Sequence, residues 1–257
     1  GLEWIREGSK SLGFDKKNMN AAIDSSLKRL KTDYIDLYQL HWPERNVPRF
    51  GVLDFEFDAL DVGWTPLEET LENLELLIKA GKIRYVGLSN ETPWGMMKFL
   101  EIAKEKNLPR MMTIQNVYSL VNRVFDIANS EVSIRENCGL LAYSPLAGGR
   151  LSGKYIGNKN PKNARYTLWP QRFSRHHTTR GEIAIEKYVN IAKKHGIPTS
   201  AFANAFVNDR PFVTSNIIGA TSIKQLKENI DSVEISLTKE ILDEIQEIHL
   251  RDPNPCV

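Results

Sequence analysis

A histidine directly follows the first strand-like segment and is the first residue whose type and place suggest chemistry. Residues 34–40 are β-branched, aromatic or apolar apart from Asp36 and Gln39, His41 comes next, and Pro43 ends further strand pairing. If this strand belongs to a parallel barrel, His41 lies at its carboxyl end, where barrel enzymes carry their reactive groups. A lone histidine is more often structural, bonded to a backbone carbonyl, so neighbouring polar residues must decide.

Polar side chains also follow later strand-like segments. Ser89, Asn90 and Gln115 offer hydroxyl and amide groups, which can supply hydrogen-bond donors and acceptors to a bound ligand. Each has an ordinary alternative, because serine and asparagine at strand ends often cap the next helix. Tyr143, at the end of another segment, is in isolation a typical core residue. The four together favour a binding site.

A turn rich in small residues follows Tyr143. It reads Ser144-Pro145-Leu146-Ala147-Gly148-Gly149, and turns that contain glycine can present backbone N–H groups to the anionic oxygens of a pyrophosphate. The G-x-G-x-x-G pattern of doubly wound dinucleotide-binding folds does not occur in the sequence.

The elements that must position these residues alternate along the chain. Helix starts are predicted at Thr65-Pro66, where Glu68 completes a capping box, at Thr92-Pro93, and at Ser222, with Gln225 at the capping-box position. Other predicted helices precede residue 34 and span about 239–249. The predicted strands are residues 34–40, 83–88, 112–117, 139–143 and 215–219.

Strands that alternate with helices through short loops predict a parallel sheet with right-handed crossovers. Two longer loops, residues 44–64 and 155–180, follow strands on the carboxyl side, and loops of this length are uncommon unless they are functional. The sequence shows no internal repeat or linker. It therefore predicts a single domain over residues 1–257.

Composition excludes several other classes of protein. The 257 residues include 41% hydrophobic and 26% charged residues, as is typical of soluble globular proteins. With 34 basic and 32 acidic residues the net charge is +2, so no nucleic-acid partner is expected. Cys138 and Cys256 are too few and too far apart for a disulfide framework. No membrane-spanning run occurs, and we expect a cytoplasmic protein without metal.

Five motifs resemble those of the aldo-keto reductases, and they occur in that family's order. The resemblance covers nearly the whole sequence and is strongest to the branch of the bacterial Tas-type proteins and the potassium-channel β subunits. The motifs are residues 33–37 with His41, 81–90, 115–116, 143–146, and 218–221 with 228–229. The resemblance implies a (β/α)8 TIM barrel, of which the chain covers about strands 4–8.

The resemblance also implies a cofactor, NADPH. Ser89, Asn90 and Gln115 match the positions that hold the carboxamide, and Tyr143 matches the residue that stacks under the nicotinamide ring. The remaining matches hold the pyrophosphate and the adenosine end: Ser144, Pro145, Leu146, Ala147, Gly148, Gly149, Lys154, Arg165, Gly219, Thr221, Gln225, Glu228 and Asn229. Many reductases have Lys and Arg where Gly219 and Gln225 stand here. Lys154, Arg165 and Lys224 are the cations that could replace them.

For catalysis the resemblance implies His41 as the histidine that orients or polarises the carbonyl group. Trp42 and the aromatic residues of the 44–64 loop suggest apolar or aromatic carbonyl substrates. The family's catalytic Asp, Tyr and Lys have no match in this sequence. They belong before the point that corresponds to Gly1, and five predicted strands are fewer than the eight of a closed barrel. We therefore expect the native protein to begin upstream of Gly1.

Three functions remain open at this stage. The first is an NADPH-dependent aldo-keto reductase that acts on a small aldehyde or ketone. The second is an NADP(H)-binding regulatory or redox-sensing subunit, and the third is an inactive truncated barrel. Because an incomplete barrel leaves exposed strand edges, a homo-oligomer is one of the expected partners.

Overall fold

The computed structural model describes residues 13–170 and 176–257. These residues form an α/β structure in which parallel strands alternate with helices. The strands are β1 Ile35–Leu40, β2 Ile83–Ser89, β3 Met111–Val117, β4 Gly139–Tyr143 and β5 Val213–Ile217. The helices are α1 Lys16–Leu30, α2 Leu67–Lys79, α3 Pro93–Lys106, α4 Asn129–Arg135, α5 Arg165–Leu168, α6 Thr179–Lys194, α7 Thr199–Asn208, α8 Ile223–Asp231 and α9 Lys239–Arg251.

The chain divides into two compact units. The first contains the described part of residues 1–48 together with 54–115 and 135–139, and the second contains 49–53, 116–134 and 140–257. The prediction of a single domain stays a prediction, and each unit is described by itself.

In the first unit β1, β2 and β3 pair in parallel. Gln39 lies beside Gly87 and Ser89 lies beside Gln115, so the carboxyl ends of these strands meet at one edge. Leucines on one face of α2 (Leu71, Leu74, Leu77) are buried with Ile83, Val86 and Leu88 of β2. This apolar core holds the strand ends in register.

Two of the three predicted helix starts have the predicted side-chain cap. Thr92 caps α3 by accepting a hydrogen bond from the Gly95 N–H, and Ser222 caps α8 by accepting from the Gln225 N–H. The prediction that Thr65 caps α2 is wrong. Its hydroxyl donates to the Glu44 carboxylate instead, and α2 starts after Pro66 without a side-chain cap.

In the second unit β4 and β5 pair in parallel, and Tyr143 lies beside Ile217. Aromatic rings form much of the core, with the Tyr118 ring stacked 6.0 Å from Phe206 and edge-on to Phe212 at 5.3 Å. The fifth strand begins and ends two residues earlier than predicted. Its last residue pairs with the last residue of β4, so residues 218–219 have no β4 residue to pair with and enter the following loop.

The two long loops differ in structure. Residues 44–64 contain no helix or strand, whereas the segment 155–180 contains α5 and the start of α6, and its residues 171–175 lie outside the described part. Among the helices of the described residues, none is both long and apolar enough to cross a bilayer.

Candidate functional site

Three predicted site residues of the first unit lie together at the carboxyl ends of β2 and β3. The Ser89 hydroxyl donates to the Gln115 carbonyl at 2.7 Å, and the Asn90 backbone N–H donates to the same oxygen at 3.0 Å. The Asn90 side-chain amide donates to the His41 carbonyl at 2.9 Å. Asn90 adopts a left-handed backbone with φ +52°, a conformation that asparagine tolerates better than most residues. The cluster therefore has a fixed geometry.

Gln39, which no sequence pattern predicted, fixes the orientation of Gln115. The Gln39 amide donates to the Leu88 carbonyl at 3.3 Å, so its oxygen is left as the acceptor for the Gln115 amide N–H at 2.8 Å. The available signal was spacing, because Gln39 precedes His41 by two residues and strand residues two apart share a face.

His41 lines a cavity of about 350 Å³ in the first unit, together with Trp42, Ser89 and Gln115. Its ring lies 4.4 Å from the Trp42 ring, tilted by 41°. Part of the imidazole is exposed, but protein surrounds its other side, and this burial lowers the pKa of His41 below its ordinary value. The ring is therefore neutral at pH 7, with one nitrogen as donor and the other as acceptor.

A buried ion pair lies directly beside this cluster. Arg45 and Glu91 form two hydrogen bonds, of 2.5 and 3.1 Å, and their side chains are only 8% and 3% exposed. The Glu91 carboxylate also accepts from the Thr92 N–H at 2.7 Å, and the Arg45 guanidinium lies 4.8 Å from the centre of the Trp94 ring. Since Glu91 follows Asn90 immediately, the pair anchors both Asn90 and the start of the 44–64 loop.

Gly95 gives this ion pair its space. A Cβ atom at this position would collide with the Arg45 guanidinium and the Glu91 carboxylate. Glycine inside a helix costs about 1 kcal/mol relative to alanine. The sequence of α3 therefore gives up helix stability to admit the pair.

In the second unit, the segment 144–149 folds into consecutive tight turns. Ser144, Ala147, Gly148 and Gly149 all have positive φ, at +60°, +47°, +67° and +100°. The Ala147 N–H donates to the Ser144 carbonyl and the Gly149 N–H to the Leu146 carbonyl. Successive N–H groups in left-handed and turn conformations form concavities that bind anions. The segment therefore has the backbone conformations from which such concavities are built, although the N–H groups of Ala147 and Gly149 are themselves bonded within the turn.

Tyr166, which no sequence pattern predicted, connects that turn to the cations of the following loop. Its hydroxyl donates to the Ala147 carbonyl at 3.3 Å, its ring is edge-on to Tyr155 at 5.3 Å, and burial raises its pKa to about 12. Its neighbour Arg165 and the nearby Lys154 are the two predicted phosphate-binding cations. Tyr166 holds their loop against the turn.

The segment 219–229 forms another wall. The Gln225 amide oxygen accepts from both the backbone N–H and the hydroxyl of Thr221, at 2.8 and 2.9 Å. In a capping box this side chain would accept from the backbone N–H of the cap residue itself. Here it accepts from the residue before the cap, so the hydrogen bonds close the loop one residue earlier. The Asn229 amide donates to the Gly219 carbonyl at 3.2 Å.

These pieces of the second unit line one cavity of about 430 Å³. Almost all predicted residues for the pyrophosphate and adenosine end contribute to it: Ser144, Pro145, Leu146, Gly148, Gly149, Lys154, Arg165, Gly219, Thr221, Gln225, Glu228 and Asn229. Ala147 is buried behind the turn. Tyr143 lies at the end of β4, where its carbonyl accepts from the Tyr118 N–H at 3.2 Å. We name this space the phosphate cavity.

Comparisons with known proteins agree with the motifs. The model of the aldo/keto reductase family matches residues 4–250. The chain is 46% identical over 236 residues to Protein tas of Escherichia coli strain K12, which covers 91% of this chain and 67% of that protein. It is 39% identical over 267 residues to an aldo-keto reductase of Babesia bovis, which covers 98% and 93%. It is 28% identical over 236 residues to L-glyceraldehyde 3-phosphate reductase of Escherichia coli strain K12, which covers 88% and 61%.

Proposed function

This chain belongs to the aldo/keto reductase family of oxidoreductases, and on that premise we propose that it uses NADPH to reduce a small aldehyde or ketone. The main support for this proposal is the phosphate cavity. Two separate stretches of the sequence, residues 144–165 and 219–229, each of which contains residues matched to nucleotide binding, line a single space in the second unit. We further propose that the parallel strands belong to a (β/α)8 barrel.

The residues of the phosphate cavity fit the chemistry of a nucleotide. A Cβ at Gly148 would lie 2.5 Å from the Tyr166 hydroxyl, and one at Gly149 would lie 3.2 Å from the Lys154 ammonium, so the turn leaves space only for backbone. Two cations, Lys154 and Arg165, line the same space, and they complement phosphate charge. A volume of about 430 Å³ is within the range of small-molecule sites.

In the first unit, Ser89, Asn90 and Gln115 would hold the nicotinamide carboxamide. When bound, NADPH would supply the hydride for the carbonyl carbon, and a proton from solvent would complete the alcohol. His41, neutral at pH 7, donates a hydrogen bond that polarises the carbonyl group. Trp42, whose ring contacts His41, packs against the apolar part of the substrate.

Gln115→Ala tests the carboxamide site. We expect the dissociation constant for NADPH of the full-length protein to rise about tenfold, because the lost hydrogen bonds contribute about 0.5–1.5 kcal/mol each. Quenching of the intrinsic tryptophan fluorescence during titration measures it. Met112→Ala, at an exposed position of the same strand, is the control and should bind as the wild type does.

Absence of NADPH and NADH binding by the wild type would contradict the proposed function. Binding of NADPH without reduction of any aldehyde would instead favour the regulatory subunit. Unchanged affinity in Gln115→Ala, with normal unfolding, would remove only the carboxamide assignment.

Lys154→Ala and Arg165→Ala test the preference for the phosphorylated cofactor. Each change should weaken NADPH binding by about tenfold and NADH binding by much less, because the 2′-phosphate is present in NADPH alone. Lys162→Ala, an exposed position in the same loop, is the control. The difference between the losses of NADPH and NADH affinity should shrink as the salt concentration increases, since exposed charges are screened. Equal losses for both cofactors would show that these cations bind only the pyrophosphate.

A further inference from the structure

A closed ring of side-chain hydrogen bonds lies behind the wall of the phosphate cavity. It joins α7, β5, α8 and the turn after α8. Asn204 donates to the Asn229 side-chain oxygen at 2.9 Å, and Asn216 donates to the side-chain oxygens of Asn204 at 3.3 Å and Asn208 at 3.0 Å. Asn208 donates to the Ser232 hydroxyl at 3.3 Å, which donates to the Asn229 carbonyl at 2.6 Å. We call these five residues the amide ring.

The backbone fixes the direction of the hydrogen bonds. The Gly219 carbonyl can only accept, so the Asn229 amide nitrogen must face it and the Asn229 amide oxygen must face Asn204. Asn204 is then forced to present its nitrogen to Asn229 and its oxygen to Asn216. Each amide has one allowed orientation, and it is set by a cavity residue.

Three members of the amide ring are also buried. Asn204 is 0% exposed, Ser232 1% and Asn229 4%. Buried amides are costly unless they are paired, and every amide nitrogen of the ring donates a hydrogen bond, so displacing a member breaks bonds that buried groups would not recover. One member, Asn229, reaches the cavity wall directly: it lines the cavity and donates to the carbonyl of Gly219, which also lines it.

We propose that Asn204, Asn208 and Asn216 are positioning residues, which hold the Gly219–Asn229 wall in the geometry that binds the adenosine end of the cofactor. This inference rests on the proposed function and adds to it residues that contact no part of the cofactor themselves. They act by preorganisation, which raises affinity because less order is lost on binding.

Asn204→Asp tests the amide ring with almost no change in volume. An ionised aspartate has no donor, so two oxygens would face each other at Asn229. In a fully buried position the acid form is favoured, and its O–H can donate to the Asn229 oxygen in place of the lost amide. The variant should therefore lose affinity at alkaline pH and recover it at acidic pH.

The measurement is the dissociation constant for NADP⁺ of the full-length wild type and of each variant, at pH 8 and pH 5.5. The oxidised cofactor is used because it survives acid. The dissociation constant of Asn204→Asp, divided by that of the wild type, should be about ten at pH 8 and fall towards one at pH 5.5. Taking ratios removes the titration of the 2′-phosphate. Asn190→Asp, on the exposed side of α6, is the matched control, with a ratio near one throughout.

Asn208→Asp serves as a second variant if Asn204→Asp does not fold. Asn208 is only half-buried, and its loss of the donor to Ser232 should raise the pH 8 ratio severalfold. Asn208→Asp is measured in either case, because its half-buried carboxyl is ionised at pH 8 even if the fully buried one stays protonated. A pH 8 ratio near one in folded Asn208→Asp overturns the positioning role while the proposed function stands. Failure of the wild type to bind NADP⁺ overturns both.

Discussion

Replacing Arg45 by methionine is expected to lower the free energy of unfolding by about 3–5 kcal/mol, because it leaves the Glu91 carboxylate buried without its partner. The guanidinium supplies two hydrogen bonds to that carboxylate, whose side chain is only 3% exposed. Urea denaturation of the full-length protein, followed by circular dichroism, should show a lower midpoint with an unchanged slope.

Two controls separate charge burial from simple loss of a side chain. Lys82→Met breaks the exposed pair with Asp24, at 2.6 Å, and should cost less than about 1 kcal/mol. The double variant Arg45→Met, Glu91→Leu should regain much of the stability, since an apolar pair of similar volume often replaces a buried ion pair without loss. A double variant as unstable as the single one would contradict this account.

His41→Ala is the second change with a large expected effect. We expect kcat/KM of the full-length protein for an aromatic aldehyde such as nitrobenzaldehyde to fall by roughly 10²–10⁴, as for other positioned acid–base groups. Affinity for NADPH should stay nearly constant. The Asn90 amide bonds the backbone carbonyl of residue 41, and alanine retains that carbonyl.

The pH dependence gives a second readout for His41. Burial lowers its pKa, so the neutral ring predominates at pH 7 and is lost only as the pH falls through that lowered value. In the wild type, the pKa of free enzyme seen in kcat/KM should therefore lie on the acid side of an ordinary histidine and vanish in His41→Ala. His249→Ala is a control in the second unit. An equal loss of activity there would mean that the assay reports folding rather than chemistry.

Local sequence predicted those parts of the fold that depend on neighbouring residues. The first four strands were predicted to within one residue at each end, because runs of apolar and β-branched residues are local signals. The fifth strand was shifted by two residues, because its end is set by pairing with Tyr143 on β4. The cap at Thr65 failed for a similar reason, since Glu44, 21 residues away, takes its hydroxyl.

The candidate site shows the same difference between local and long-range interactions. Short continuous motifs named many of the residues that line the phosphate cavity, and the binding roles of these residues stay a prediction. The residues that fix their orientation were not predicted. Gln39 bonds a residue 76 positions away and Arg45 bonds one 46 positions away. The spacing of Gln39 from His41 could have indicated a shared face, but it does not identify the distant partner, because only the folded register brings the two residues of each pair together.

The collision at Gly95 has a consequence for how this sequence can change over time. Alanine at position 95 would by itself improve α3, yet its Cβ would displace the Arg45 guanidinium and the Glu91 carboxylate from their present positions. Once smaller apolar residues occupy positions 45 and 91, alanine at position 95 can be accommodated. Its Cβ then occupies the space that the guanidinium and the carboxylate of the ion pair need. The order in which these three substitutions arise decides which are open, so this corner of the first unit is a site of historical contingency in evolution.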